Sequence, residues 1–257
     1  MTYDLPDVIR VEADGPLRII TLSRPDQLNA INPELHLGLT ELFPQLSADA
    51  DARVAVITGA GRAFSAGGDF DLLDRMIEDT AVRQSTIAEG RDLVVNMIRC
   101  RIPVIAAVNG PAVGLGCSVI ALSDVVYMAE SAYLSDPHVT VGLVAADGGP
   151  IIWPLHTSLL LAKEYAFTGD RITAQRAAEI GLANHVCPDG EVLPAALTAA
   201  HKIAALPQHA VEMTKRVLNV HVERAVLATI DFAMSAESES FDTPELRANV
   251  DRFLKRS

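Results

Sequence analysis

Apolar residues in the first 130 positions form two kinds of pattern. Short runs rich in apolar and β-branched residues, which are typical of β-strands, lie at 8–12, 17–22, 54–58, 104–108 and 124–128. Helical spacing appears between them, over 33–46, over 81–99 and from about 115. Asp14-Gly15 separates the first two strands and indicates a hairpin. The alternation of strands and helices predicts an α/β fold with buried, largely parallel strands.

The pattern becomes almost entirely helical after about residue 157. Helix-like segments follow at 157–168, 174–180, 191–205, 208–222, 223–237 and 244–255. No linker, low-complexity run or clear repeat divides the chain. We therefore predict one domain over 1–257, with a core over about 1–200 and a helical region over about 201–257.

The segment 102–122 has two interpretations. It carries no charge over 21 residues, which is long enough to cross a bilayer. However, Asn109-Gly110-Pro111 interrupts it and two further glycines follow. This favours two short buried elements around a tight turn, and no membrane partner is expected.

Composition excludes several functional classes. Lys and Arg number 21 against 33 Asp and Glu, so the net charge is −12, which disfavours nucleic acid and anionic lipid as partners. A small anionic ligand stays compatible, since backbone N–H groups can bind anions. Cys100, Cys117 and Cys187 are widely spaced and predict neither a disulfide framework nor a zinc site. The N-terminal residues carry no secretory pattern, so a cytoplasmic protein without a metal or redox cofactor is predicted.

Two strand-to-turn segments, 54–70 and 104–120, carry the candidate chemistry. A dinucleotide fingerprint begins at 59–61, but Phe64 stands where its third glycine belongs. A nucleophile elbow would use Ser65, although the preceding strand ends too early for the sharp turn. A third interpretation is an oxyanion hole of two backbone N–H groups, one from each turn. Simple tight turns remain the alternative to all three.

Several segments together resemble the crotonase superfamily, the enoyl-CoA hydratase/isomerase fold. The similar segments lie, in the family's order, at 24–31, 63–69, 109–117, 168–174 and 178–184. The resemblance implies a spiral core of ββα turns with a C-terminal α-helical region at a trimer interface. A homotrimer or a dimer of trimers is expected on this basis.

The same resemblance assigns residues to an acyl-CoA thioester. The N–H groups of Gly68 and Leu115 would form the oxyanion hole. CoA would be part of the substrate rather than a separate cofactor. The candidate substrate-binding residues are Ala30, Ala66, Gly67, Asp69, Phe70, Gly114 and Ser118. For Asp69, the local pattern favours an N-cap of the following helix over a direct role.

The chain departs from the hydratase pattern at both catalytic glutamates. Ser118 and His138 occupy those two positions. Serine is a poor general base without a partner. His138 with Asp147 is the candidate acid/base pair, because a carboxylate orients the imidazole and stabilises its protonated form. A structural role for His138 and an N-cap role for Asp147, near Pro150, are the alternatives.

Three functions follow as hypotheses. The first is an enzyme that stabilises the enolate of an acyl-CoA thioester and uses His138 and Asp147 as acid/base. The second is a β-diketone C–C bond hydrolase, because the His138–Asp147 spacing and the following GGPIIWP resemble the 6-oxocamphor hydrolase-like branch. The third is a non-catalytic acyl-CoA-binding protein.

Overall fold

The computed structural model describes residues 2–255, and these form a mixed α/β structure. The strands are Ile9–Asp14 (β1), Leu17–Leu22 (β2), Val54–Gly59 (β3), Val104–Val108 (β4), Ala112–Val113 (β5), Val125–Ala129 (β6), Tyr133–Ser135 (β7), Ile172–Thr173 (β8) and His185–Cys187 (β9). The helices are Pro33–Ala48 (α1), Phe70–Glu78 (α2), Thr80–Arg99 (α3), Leu115–Ala121 (α4), His138–Val141 (α5), Gly149–His156 (α6), Leu159–Thr168 (α7), Ala174–Ile180 (α8), Val192–Ala204 (α9), Gln208–Ser240 (α10) and Pro244–Leu254 (α11).

The main sheet has six strands in the order β1-β2-β3-β4-β6-β9. The β1–β2 pair is an antiparallel hairpin and every later pair is parallel, as the apolar pattern predicts. The first glycine turn follows β3 in the segment 54–70, and the second follows β4 in the segment 104–120. A smaller sheet, β5-β7-β8, includes part of the second glycine turn. Strands β3 and β4 are buried at every residue, since helices cover both faces of a parallel sheet.

The helical boundaries contain one clear difference from the sequence pattern. The segments 208–222 and 223–237, predicted as two helices, form the single 33-residue helix α10. Neither glycine nor proline interrupts Gln208–Ser240, so no residue ends the first helix. Of the short helices around the candidate site, α2 follows the predicted N-cap Asp69 and α6 contains Pro150, near which a helix is predicted, whereas the pattern does not predict α5.

The uncharged segment 102–122 forms β4, a turn, β5 and α4. The interpretation as two short buried elements is therefore confirmed. Among residues 2–255, no helix is both long enough and apolar enough to cross a membrane.

Hydrogen bonds fix the two glycine turns to each other. Asn29 is fully buried and donates from Nδ2 to the carbonyls of Ala60 and Ala63, both at 2.9 Å. Ser65 donates from Oγ to the Asn29 carbonyl at 2.8 Å, and the Val113 N–H donates to the Ser65 carbonyl at 2.9 Å. Ser65 is thus a buried structural residue, and the nucleophile-elbow interpretation is wrong.

A buried ion pair holds the C-terminus of α1 against β2. Arg18 Nε lies 2.7 Å from Asp49 Oδ2, and the Tyr3 hydroxyl donates to the same oxygen at 2.6 Å. Burial acts to raise the pKa of Asp49, but the hydrogen bonds from Arg18 and Tyr3 dominate and lower it to about 2. A carboxyl with a depressed pKa in the folded state stabilises the fold in its ionised form.

We expect Asp49→Asn to lower the free energy of unfolding by about 3 kcal/mol, because the buried Arg18 charge loses its partner. In the wild type this contribution is complete above about pH 4 and is lost as the pH falls toward 2. Urea unfolding at pH 7 and at pH 3 measures both effects. Asp51→Asn, on the neighbouring exposed carboxylate, is the control. A loss of stability as large as that of Asp49→Asn in this control would contradict the prediction.

Candidate active site

A cavity of about 500 Å³ lies between the two glycine turns and the helices α2, α3, α5, α10 and α11. Apolar side chains and glycines form most of its wall. The polar residues on the wall are His36, Thr86, His138, Thr140, Asp147, Glu237, Asn249 and Arg252. A mostly apolar cavity with a few convergent polar groups is typical of a small-molecule site.

Eight of the eleven residues chosen from the sequence line this cavity. They are Ala66, Gly67, Gly68, Phe70, Gly114, Leu115, His138 and Asp147. They come from both glycine turns, from the start of α2 and from the segment around α5, which the fold brings to one wall.

The other three predicted residues, Ala30, Asp69 and Ser118, do not line the cavity. The Ala30 carbonyl accepts a hydrogen bond from the Arg24 guanidinium. Asp69 caps α2 by accepting from the Asp71 N–H at 3.1 Å, so the N-cap interpretation is confirmed. Ser118 is fully buried behind the wall. The Ala30 carbonyl and the side chains of Asp69 and Ser118 thus form hydrogen bonds within the protein.

The two glycine turns expose a pair of backbone donors. Within residues 2–255, neither the Gly68 N–H nor the Leu115 N–H donates a hydrogen bond to another part of the protein. The turns approach each other closely, since a Cβ on Gly67 would lie 2.8 Å from the Val113 carbonyl oxygen. Gly67 also has φ +86°, a left-handed conformation that favours glycine. The backbone therefore presents two unpaired N–H groups at one side of the cavity.

His138 lies between two carboxylates beside these donors. Its Nδ1 contacts Asp136 Oδ1, and its Nε2 is 3.5 Å from Asp147 Oδ2. A Cβ on Gly114 would lie 3.5 Å from His138 Cε1, so the ring is next to the turn that carries the Leu115 N–H. The expected His138–Asp147 pair is thus part of a group of three residues that also includes Asp136.

Asp136 is the member of this group that the sequence did not reveal. Its side chain is fully buried, and it stands two residues before the histidine in Asp136-Pro137-His138. The signal was present, because an aspartate can reach a residue two positions ahead when the backbone turns. Its Oδ2 is buried without a hydrogen-bond partner in the described part of the chain. Asp136 thus contacts the imidazole through Oδ1, at the Nδ1 nitrogen.

Ser118 holds Asp147 in place. Its Oγ donates to Asp147 Oδ1 at 2.6 Å and accepts from the Gly149 N–H at 3.1 Å. The N-cap alternative for Asp147 is wrong, because Gly148 occupies the cap position of α6 and no side chain caps that helix. Ser118 therefore supports the Asp147 carboxylate from behind the cavity wall.

The carboxylates around His138 set the protonation of the site. Burial acts to lower the pKa of His138, but the charges of Asp136 and Asp147 outweigh it and raise that pKa well above its usual value. Burial raises the pKa of Asp147, which the positive charge of His138 partly offsets. These charges therefore favour the protonated imidazole, which faces a carboxylate that accepts protons more readily than a solvated one.

Glu237, on α10, is a second residue that the sequence analysis missed. Its side chain lines the cavity together with His138 and Asp147. Burial raises its pKa to about 8, with further contributions from the negative charges of Asp147 and Asp136 and an opposing one from His138. Nothing in the local sequence distinguishes this glutamate from the others on α10.

The potential ligand atoms of Asp136, His138 and Asp147 lie within 4.8 Å of one another, which is close enough to consider a metal. However, the two carboxylates face opposite nitrogens of the imidazole ring. A single ion on Nε2 would therefore have only His138 and Asp147 as close ligands from this group. The arrangement suits proton transfer better than metal binding.

Comparisons with known proteins agree on one family. The family model described as enoyl-CoA hydratase/isomerase matches residues 12–257. A crystal structure of an enoyl-CoA hydratase/isomerase from Mycobacterium paratuberculosis is 64% identical, with a TM-score of 0.95 over 97% of this chain and 100% of that one.

Relatives with named activities divide between two reactions. The short-chain-enoyl-CoA hydratase of Clostridium acetobutylicum is 31% identical over 246 residues, covering 93% of this chain and 89% of that protein. The mitochondrial Delta(3,5)-Delta(2,4)-dienoyl-CoA isomerase of Homo sapiens is 34% identical over 245 residues, covering 90% and 74%.

Proposed function

The chain belongs to the enoyl-CoA hydratase/isomerase family, and we propose that it moves a carbon–carbon double bond in an acyl-CoA thioester through an enolate. The Gly68 and Leu115 N–H groups would hold the enolate oxygen. Asp147 and His138 would exchange the protons. The observation that carries this proposal is the pair of unpaired N–H groups on the same cavity wall as His138 and its carboxylate partner Asp147.

The proposed reaction has two proton transfers. Asp147 removes a proton from the carbon next to the thioester carbonyl, and the electron pair moves onto the carbonyl oxygen. Hydrogen bonds from the two backbone donors stabilise the negative charge that develops there. His138 then returns a proton at the far end of the conjugated system, and the double bond forms in its new position. The raised pKa values of both residues suit these roles, since a carboxylate with a raised pKa is a stronger base and a histidine with a raised pKa holds the proton that it delivers.

Isomerisation fits this site better than hydration by a pair of glutamates. Hydration by that route needs two carboxylates that hold a water between them. Ser118 occupies one of those positions, is fully buried, and is engaged with Asp147 and the Gly149 N–H. It offers no second base in the cavity. A reaction that needs only one acid/base pair is therefore favoured.

A second candidate reaction is hydrolysis of a carbon–carbon bond in a β-diketone. The carboxylates at the two ring nitrogens favour it, because they fix the orientation of His138, and Asp147, which accepts protons more readily than a solvated carboxylate, would take the proton from a water held beside Nε2. Hydroxide from that water would add to one carbonyl carbon, and the bond from that carbon to its neighbour would break. The departing electron pair would form an enolate at the second carbonyl, next to the same two N–H groups.

Mass spectrometry of products formed in D2O tests the proposal. The wild-type protein is incubated with 3-enoyl-CoA thioesters and, separately, with cyclic β-diketones. We expect 2-enoyl-CoA products that carry deuterium, because the protons exchange through acidic side chains. Ring-opened acids from the diketones, with unchanged thioesters, would overturn it in favour of hydrolysis.

Absence of any product from either pool would contradict catalysis on these substrates. A measurement of Tm with saturating acyl-CoA then tests the remaining alternative of a non-catalytic binding protein. A ligand that binds only the folded state at a hundredfold excess over its Kd stabilises that state by about 2.7 kcal/mol. A Tm that does not change would exclude acyl-CoA binding as well.

A further inference from the structure

Glu237 is a buried carboxyl that the proposed reaction does not use. It lies on α10, is 9% exposed and lines the cavity. Within residues 2–255 no group forms a hydrogen bond or an ion pair with its side chain. A glutamate is rarely buried without a partner, since loss of hydration strongly disfavours it. Its place in a ligand-sized cavity indicates that the missing partner is the ligand.

The surroundings of Glu237 favour its neutral form. Asp147 and Asp136 place negative charge near it, and His138 supplies the one opposing positive charge. The charged groups that face it come from the segment before α5, from α5 itself and from the loop before α6. Burial and the two aspartates raise its pKa to about 8, which favours the protonated carboxyl at neutral pH. A neutral carboxyl can donate a hydrogen bond through its O–H.

The other polar side chains along this part of the wall already have partners. Thr86 donates to the Val82 carbonyl at 3.0 Å, Thr140 to the Pro137 carbonyl at 2.8 Å, and Asn249 to the Val141 carbonyl at 2.8 Å. The neighbours of Glu237 on the cavity wall, Met234 on α10 and Phe241 directly after that helix, are apolar. Arg252 also lines the cavity but is exposed, and His36 contacts Glu89 Oε2 through Nδ1 at 3.0 Å. Away from the acid/base pair, Glu237 is therefore a buried polar side chain that a polar atom of a bound acyl chain can meet without displacing a protein partner.

We propose that Glu237, the unpartnered buried carboxyl on the cavity wall, determines substrate specificity by hydrogen bonding to an oxo group on the acyl chain. The enzyme would thus prefer oxo-acyl-CoA thioesters over unsubstituted ones. This inference rests on the proposed function, because it assumes an acyl-CoA in the cavity. An oxo oxygen only accepts hydrogen bonds, so it matches a protonated carboxyl and is repelled by an ionised one. An unsubstituted chain leaves this donor unpaired, which is the stronger source of discrimination.

Calorimetric titration with unreactive saturated thioesters tests this preference. The probes are octanoyl-CoA and its 5-, 6- and 7-oxo analogues, which place the oxygen at successive depths. We expect the wild type to bind at least one oxo analogue about tenfold more tightly than octanoyl-CoA. Glu237→Gln, which keeps an N–H donor, should retain most of that ratio. Glu237→Leu should lose the ratio or reverse it.

Glu239→Leu is the matched control, since Glu239 is an exposed glutamate on the same helix and should leave the ratio unchanged. Equal affinities of the wild type for octanoyl-CoA and all three analogues would overturn the inference while leaving acyl-CoA binding intact. The same conclusion would follow if Glu237→Leu kept the wild-type ratio. Failure of the wild type to bind any of the four thioesters would overturn the proposed function and this inference with it.

Discussion

Replacement of His138 by alanine is expected to lower kcat by about 10³-fold, because proton transfer by a positioned side chain contributes 10²–10⁴-fold. The substitution removes the group that returns a proton to the enolate. It also leaves Asp136 and Asp147 without the positive charge between them. Substrate binding through the backbone donors should persist, so KM should change by much less than kcat. Steady-state kinetics on the thioester identified by mass spectrometry measures the two parameters separately.

Two further variants test whether the loss of kcat comes from the loss of proton transfer. His138→Gln can still donate a hydrogen bond toward Asp136 but cannot carry a proton, so its kcat should fall nearly as far. His209→Ala, at an exposed histidine near the start of α10, should match the wild type. Retention of wild-type kcat by His138→Gln would show that the ring only supports the loop and would refute its role in proton transfer.

Replacement of Gly67 by alanine is expected to reduce kcat by about 10²–10³-fold, the loss seen when one oxyanion-hole donor is removed. A Cβ at this position would lie 2.8 Å from the Val113 carbonyl oxygen, and that atom belongs to rigid backbone. The two glycine turns would have to separate, which moves the neighbouring Gly68 N–H relative to the Leu115 N–H. The residue also loses its favoured conformation at φ +86°.

Gly190→Ala separates these two causes. Gly190 has φ +85°, almost the same as Gly67, but an added Cβ there meets nothing within 4 Å. Both variants therefore share the conformational strain of about 1–2 kcal/mol, which a comparison of urea unfolding will measure. Only Gly67→Ala should lose activity. Comparable activity in the two variants would contradict the proposed oxyanion hole.

The regular part of the fold could be predicted because its signals are local. The apolar run of β4 is continuous, and Asn32 caps the start of α1, since its side chain accepts from the Leu35 N–H. The short helices α5 and α6 could not be predicted in the same way. Helix α5 has four residues, and α6 contains Pro154 within its span. Their positions depend on packing against the rest of the molecule instead of on a repeating pattern.

The same distinction between local sequence signals and contacts made only in the folded chain applies to the residues of the candidate site. His138 and Asp147 could be chosen because they stand in a segment that resembles a family motif. Glu237 could not, since it is about 100 residues away on a long helix with several other acidic residues. The resemblance predicts that Ser118 contacts the substrate, whereas in the folded structure its hydroxyl is turned toward Asp147. Roles that depend on direction of a side chain required the structure.

The proposed division of labour between main chain and side chains has a consequence for evolution. The Gly68 and Leu115 N–H groups belong to the backbone, so no codon change at either position removes them, short of one to proline. The groups that would decide what happens to the enolate are side chains at 118, 138, 147 and 237, and each can be altered by a single missense change. A lineage of such proteins can therefore diversify its reactions while inheriting the carbonyl-binding part intact.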